Sequence, residues 1–519
     1  MPKSRSHRPQ KGVASKGAPN NPAYEARRKL DEAEQYRRSG KLSQARKLCE
    51  QVLRMHPDYV GALHTLGLIL ADQENYPEAL FNLVQAEMLN PKDPTTLLAL
   101  SGVYLRLGAR EMAAHTLERA IERGGDEVAT HSTLGEIYRD NREYELAAEA
   151  FQTALKLEPG LNEARMTLAD CQFHLGQLED AAKSLHALLD AWPKSIRPVH
   201  AISLLPVQLQ KIDLQARIEA AENDGKDSET VFEANKLYTR AIHHHARGEH
   251  QQAWEDLSQA NAPRFKLLAG EYHSEKAVQR RLLEVLKTTH SAKPAEEAGA
   301  GSHPISLFIL GPSRSGKTTA ERMLSSMPGV KLGYENPIVE NAVKRTFQSA
   351  GLLTSDAIYR LPPVLNELFC KHYLEELDER AGQSAVFTNT APAHIFGAMR
   401  IAQVVPGARF LFVKRDTYDV AFRILARNYR SGNSYAYDVR ETWDYVTWYY
   451  QMIDLMVERF PTICRVTTYE EIQTAPGNVL ETAAILCGVS KLPNVEPAPG
   501  DDRGCGAPYK EWIDEIVRS

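Results

Sequence analysis

Small residues recur every 34 positions through the first part of the chain, and this period constrains the fold more than any other feature. Ala33, Gly67, Ser101, Gly135 and Ala169 form one row of the lattice, and Ala45, Ala79, Ala113, Ala147 and Ala181 form a second. Pro57, Pro91, Pro159 and Pro193 form a third, with Gly125 in the remaining slot. A fixed period of this length marks a stacked array of small supersecondary units. Tyr36, Tyr104 and Tyr138 lie three residues after the first row, and Leu83, Leu117, Phe151 and Leu185 lie four after the second. Those offsets suit two short antiparallel helices per unit: small residues let the backbones approach, large ones fill the gap, and the proline closes the second helix.

The pattern resembles the tetratricopeptide repeat, and residues 25–195 hold five such units in an all-α superhelix. Ala241, Ala253, Leu257 and Ala260 repeat the internal spacing off the lattice, so residues 196–288 are expected to continue with degenerate helical repeats. Stacked helix pairs offer a concave surface that suits a protein or peptide partner. His243, His244 and His245 with His250 read as a solvated helix face, because consecutive helical residues diverge and do not converge on one metal ion.

The net charge of -5 gives no bulk attraction to nucleic acid or to an anionic membrane, so neither is expected as a partner. The six cysteines include no C-x-x-C pair, which fits neither a zinc framework nor a disulfide scaffold, and they read as reduced thiols. With no apolar run long enough to span a membrane and none resembling a signal sequence, a cytoplasmic location is expected. Residues 1–24, with Lys3, Arg5, Arg8, Lys11 and Lys16, read as a disordered basic tail.

Composition shifts at residues 289–304, where SAKPAEEAGAGSHP lacks large apolar residues and reads as a flexible linker, and a second domain is expected over 305–519. It opens with ISLFIL, a short buried strand, then GPSRSGKTT and the helical pattern AERMLSSM. Strand, glycine loop and helix make a phosphate cradle: Gly311 and Gly316 let the loop wrap closely, and the helix N-terminus adds partial positive charge. Arg314 and Lys317 would neutralise phosphate oxygens, with donors from Ser315, Gly316, Thr318 and Thr319. Taken literally, Gly311 to Thr318 is the G-x-x-x-x-G-K-[ST] motif of a P-loop kinase or nucleotide triphosphatase. Such an enzyme wants a carboxylate for magnesium at the end of a neighbouring strand, whereas ARFLFV is followed by Lys414 and Arg415 before Asp416.

This basic strand end, together with Ser313-Arg314-Ser315-Gly316-Lys317-Thr318, resembles the sulfotransferases over residues 305–490. The resemblance implies a three-layer α/β, P-loop-like domain with a mostly parallel sheet. It also implies 3′-phosphoadenosine 5′-phosphosulfate as co-substrate, with no metal. The loop would hold the 5′-phosphosulfate, and FLFVKRDTYDVAFRILARNY the 3′-phosphate through Arg415, Arg423 and Arg427, spaced to project from one side of a following helix. Gly333-Tyr334-Glu335 stands where the protein-tyrosine branch has its catalytic base, so Glu335 joins Arg314 and Lys317 as a catalytic candidate, with His394 as the other possible base. Tyr469, in Val466-Thr467-Thr468-Tyr469-Glu470, matches a later strand ending and joins the nucleotide-binding residues. Tetratricopeptide repeats fused to such a domain resemble a bacterial sulfotransferase family.

Ser313, Lys317 and Arg423 depart from that family's pattern, and VFTNTAPAH lacks its middle-strand lysine. Protein tyrosine, a carbohydrate hydroxyl and a small metabolite all stay open as acceptors, the resemblance favouring tyrosine. A P-loop kinase and a non-catalytic repeat scaffold remain as alternatives. Trp443, Tyr445, Trp448, Tyr449 and Tyr450 read as helical core, not an acceptor groove.

Overall fold

The structure, a computed structural model, describes residues 22–125, 127–223, 225, 228–289, 293–295, 303–429, 433–489 and 501–519. The expected tail up to residue 21, and residues 290–292 and 296–302 of the expected linker, lie outside the described residues. The chain forms two compact units, one of Met1–Tyr138 with Leu146–Leu161 and one of Arg139–Glu145 with Asn162–Ser519.

The first unit begins with the antiparallel pairs Pro22–Arg38 and Leu42–Met55, Val60–Asp72 and Tyr76–Leu89, and Pro94–Arg106 and Arg110–Glu122. The alanines of the second lattice row, Ala45, Ala79, Ala113 and Ala147, are fully buried. A Cβ on Gly67 would come within 2.5 Å of Leu83 Cγ, and one on Gly135 within 2.9 Å of the Phe151 ring. Small and large rows therefore face each other as the spacing requires, and helices end at Met55 and Leu89, just before the lattice prolines.

In the second unit, helices Asn162–His174 and Leu178–Ala191 complete the lattice, with Ala169, Ala181 and Leu185 in one core. Beyond them come Ile196–Ser203, the short Val207–Gln210 and Leu214–Glu219, then Glu229–Ala246 packed along the 39-residue helix His250–Thr288. This long helix belongs to the α/β core. Tyr272 and Leu286 share a cluster with Phe308 and Phe410, and Asn261 Nδ2 donates to the Leu425 carbonyl at 3.0 Å. Arg264 donates to the Tyr429 carbonyl at 2.8 Å, and Trp448 Nε1 to that of Gln279 at 2.9 Å.

The histidine run is not a solvated face. His245 Nδ1 lies 2.9 Å from the Tyr509 hydroxyl with its ring on Phe422, and burial pushes it down to about 4. His244 Nδ1 is 3.1 Å from Asp256. The apolar residues Phe422 and Tyr509, remote in sequence, supply the cover that the helix pattern alone did not show.

Among the described residues five strands follow: β1 (Ile305–Leu310), β2 (Val330–Lys331), β3 (Val386–Asn389), β4 (Ala408–Lys414) and β5 (Cys464–Thr468). Their order is β2-β3-β1-β4-β5, and every pairing is parallel. Continuous apolar strands are what a sheet covered on both faces needs. Phe308, Leu310, Phe410 and Phe412 point into one cluster with helices Ile338–Ser349, Asn366–Ala381 and Val439–Arg459. Leu307, Ile309, Leu411 and Val413 point into the other, with helices Lys317–Leu324 and Pro476–Cys487. The result is the three-layer α/β domain expected. Tyr445, Trp448 and Tyr449 are core residues of helix Val439–Arg459. Strand order reverses at β1, whose neighbours are β3 and β4, so the loop leaving β1 opens at the place where such sheets bind ligands.

Candidate active site

Residues 311–316 turn from β1 into helix Lys317–Leu324. A Cβ on Gly311 would lie 2.4 Å from the Val413 carbonyl oxygen, so only glycine fits there. Arg314 (φ 68°) and Gly316 (φ 99°) adopt left-handed conformations, and Gly316 caps the helix. Ser315 is fully buried, and among the described residues its Oγ has no hydrogen-bond partner. Lys317 is 5% exposed, Thr318 and Thr319 half-buried. Burial depresses the Lys317 ammonium, partly offset by the Glu335 charge. Burial, and then the neighbouring Arg427, bring Arg314 down to about 9. Two cations crowded at a helix N-terminus beside an orphaned hydroxyl are a site that an anion would stabilise.

Glu321 stands one helical turn beyond Lys317 and is fully buried. Its Oε1 accepts the Tyr334 N–H at 2.9 Å and the Thr388 hydroxyl, whereas Oε2 has no partner among the described residues. Burial raises its pKa to about 7. Tyr334 is itself left-handed (φ 54°), and Asn336 Nδ2 donates to the Gly333 and Thr388 carbonyls, both at 3.1 Å. The turn carrying Glu335 is thus fastened to β3 and to the loop helix. Glu335 is exposed, with its carboxylate 4.0 Å from Arg142 Nη2. The Tyr334 hydroxyl donates to Glu145 at 3.2 Å. His394 is buried, with Nε2 3.2 Å from Glu340 Oε1 and its ring edge-on to Phe308.

The arginines do not share one helix. Asp416 caps the nine-residue helix Thr417–Leu425, accepting the Asp419 N–H at 3.0 Å, so Arg415 precedes the helix and Arg427 follows it. Arg415 and Arg423 nevertheless meet at Asp502. Arg415 Nη2 is 3.0 Å from Asp502 Oδ1, and Arg423 Nε is 3.2 Å from Oδ2. The Tyr469 hydroxyl donates to Oδ1 at 2.7 Å, and the Arg415 guanidinium stacks 4.1 Å above the Tyr469 ring. Tyr450 brackets Arg415, accepting its N–H at 3.0 Å and donating to its carbonyl at 2.6 Å. Arg427 lies on the loop side, where its charge acts on Arg314. The two clusters touch, since a Cβ on Gly316 would come 2.5 Å from Tyr469 Cδ2.

The sequence reading missed Glu321, Asp502 and Arg142, and it placed in the helical core Tyr450, which is half-buried against Arg415. Glu321 left a signal, an acid on the helix face shared by the buried Ala320, Met323 and Leu324. The others left none. Among the described residues no group of three or more His, Cys, Asp or Glu side chains is arranged to hold a metal ion, and no helix is long and apolar enough to cross a membrane.

Residues 304–491 match the profile described as the sulfotransferase family. Residues 30–95, 98–157 and 132–196 match the tetratricopeptide repeat. The chain therefore carries tetratricopeptide repeats followed by a domain of the sulfotransferase family. It is 24% identical to the Hsp70-Hsp90 organizing protein of Triticum aestivum over 209 residues, 40% of this chain and 36% of that one. It is 38% identical to a TPR repeat-containing protein of Pseudomonas aeruginosa over 97 residues, 18% of this chain and 16% of that one. The chain spans about a third or less of the length of these relatives. Among solved structures it is similar to MamA (22% identity, 31% of this chain and 95% of that one, TM-score 0.29). It is also similar to YrrB, described as a TPR protein with an unusual peptide-binding site (19% identity, 34% and 91%, TM-score 0.31).

Proposed function

We propose that the C-terminal domain transfers the sulfuryl group of 3′-phosphoadenosine 5′-phosphosulfate to an acceptor hydroxyl. The observation that carries this reading is the pair of Arg314, half-buried on the strand-to-helix loop, and Lys317, buried at the start of the helix, with the orphaned Ser315 Oγ between them in sequence. When bound, the nucleotide supplies an activated sulfuryl group on a phosphate leaving group. Arg314 and Lys317 neutralise the 5′-phosphate oxygens and the charge that develops on them, with N–H and hydroxyl donors from Ser315, Gly316, Thr318 and Thr319. Arg415, Arg423, Arg427 and Tyr469 form the second anion site, for the 3′-phosphate. Glu335 takes the acceptor proton as the acceptor oxygen bonds to sulfur and the bond from sulfur to the phosphate oxygen breaks.

In this reading no metal takes part, which agrees with the use of Asp416 as a helix cap. The repeats bind a protein or peptide, which is the acceptor or a partner that delivers it, in the cytoplasm. A tyrosine hydroxyl is the acceptor that the place of Glu335 favours. The test is transfer of labelled sulfate from the donor to phenolic and carbohydrate acceptors in the presence of a chelator. Label on an acceptor supports the reading; ATP turnover with magnesium and no sulfate transfer would replace it with the kinase reading that the literal Gly311–Thr318 motif supports.

A further inference from the structure

We propose that the Asp502 carboxylate is an internal stand-in for the 3′-phosphate, which a donor nucleotide must displace in order to bind; this rests on the sulfotransferase reading. Three groups from separate elements converge on this one side chain. Arg415 directly follows β4, Arg423 lies on helix Thr417–Leu425, and Tyr469 opens the helix Tyr469–Thr474 directly after β5. Arg415 does not depend on the Asp502 carboxylate, because the same guanidinium also donates to the Asp502 main-chain carbonyl at 2.8 Å and stands 3.3 Å from Asp419 Oδ2. Burial alone would raise the Asp502 carboxyl, yet Arg423 and Arg415 hold it below the ordinary carboxylate range. A carboxylate held this way occupies the focus of a dianion site.

The segment is built so that this side chain alone can leave. Asp419 anchors the following residues by their backbone, accepting the Gly504 N–H at 2.8 Å and the Gly506 N–H at 2.7 Å. Gly506 is pressed against the backbone of Tyr418, where a Cβ would lie 2.2 Å from the carbonyl carbon. Asp502 precedes this anchor, with its side chain 26% exposed and Arg423 42% exposed, so the solvent edge of the cluster lies on its side. A phosphate arriving there gains both arginines and the Tyr469 hydroxyl, and it cannot share them with a second anion at the same distance. Asp502 then turns outward about its own side-chain torsions while Gly504 and Gly506 stay bound. The desulfated product carries the same 3′-phosphate, so the returning carboxylate also speeds its departure. A nucleotide without a 3′-phosphate offers nothing to exchange for Asp502.

Calorimetry of the full chain with 3′-phosphoadenosine 5′-phosphate and with adenosine 5′-phosphate tests this on Asp502→Asn, which keeps the shape and removes the charge. The expected result is an affinity for the bisphosphate raised at least about tenfold, with that for the monophosphate unchanged. Unchanged or weakened bisphosphate binding by the folded variant overturns the proposal. If the unaltered protein prefers the bisphosphate and Asp502→Asn changes nothing, only the Asp502 proposal falls. If neither form binds the bisphosphate, the sulfotransferase reading falls with it.

Discussion

The Tyr334 N–H donates a 2.9 Å hydrogen bond to Glu321, one helical turn beyond Lys317. The residue before Glu335 is thereby fixed to the helix whose first turn presents Lys317, the lysine proposed to meet the 5′-phosphate. A buried carboxyl at this junction, raised by burial to about 7, is a point where protonation and site geometry meet. Lys317 and Arg322 on its own helix, and Tyr334 and Glu335 on the facing turn, are the charged or titratable groups acting with it.

Glu321 prefers its neutral form in the folded protein, so it contributes to stability below its unfolded value near 4.5, and that contribution is lost as pH rises to about 7. The penalty at pH 8 is on the order of 3 kcal/mol. Thermal unfolding followed from pH 5 to pH 8 should show Glu321→Gln gaining on the parent as pH rises. Parallel curves for the two proteins would remove Glu321 from the account.

Replacing Glu335 by Gln keeps the size of the side chain and removes the proposed base. Turnover should fall by about 10²- to 10⁴-fold with nucleotide affinity nearly unchanged. Steady-state kinetics with calorimetry separates the two. Because His394 is buried against Glu340 and Phe308, His394→Asn is expected to act on stability before it acts on chemistry. Full activity in Glu335→Gln would return His394 to the role of base.

Gly316→Ala adds a methyl group at φ 99°, directed 2.5 Å from the Tyr469 ring. Strain of about 1–3 kcal/mol and displacement of Tyr469 should follow. Bisphosphate affinity should fall together with melting temperature, since the ring supports Arg415. A variant with parent-like affinity would show that the loop relaxes without disturbing the second anion site.

A fragment starting at residue 303 lacks Tyr272 and Leu286 of the main α/β core and the helix that holds Leu425 and Tyr429 by their carbonyls. It should be unfolded or aggregated by far-UV circular dichroism and size-exclusion chromatography. A native-like spectrum and melting transition for that fragment would make the long helix dispensable.

What could be read from sequence follows from where the information is local. The run ISLFIL is β1 residue for residue, and ARFLFV is β4 without its last lysine, because continuous apolar runs ended by glycine or charge suit strands covered on both faces. The repeat lattice was legible because each small residue answers to a large one within the same helix pair, as Gly67 does to Leu83. The loop Gly311–Thr319 was legible because its chemistry is contiguous. The arginines were assigned to one helix because their spacing suits one, and spacing does not show that Asp416 starts a helix of nine residues. The partnership of helix His250–Thr288 with the sheet, and of Asp502 with Arg415, joins segments far apart in sequence, for which periodicity holds no signal.

The most direct test of the central claim is calorimetry of the full chain with 3′-phosphoadenosine 5′-phosphate in the presence of a chelator, set beside ATP with magnesium. The account predicts metal-independent binding of the bisphosphate that is tighter than that of adenosine 5′-phosphate and is weakened about 10- to 150-fold by Arg415→Ala. Binding of ATP only with magnesium, and no preference for the 3′-phosphate, would contradict it.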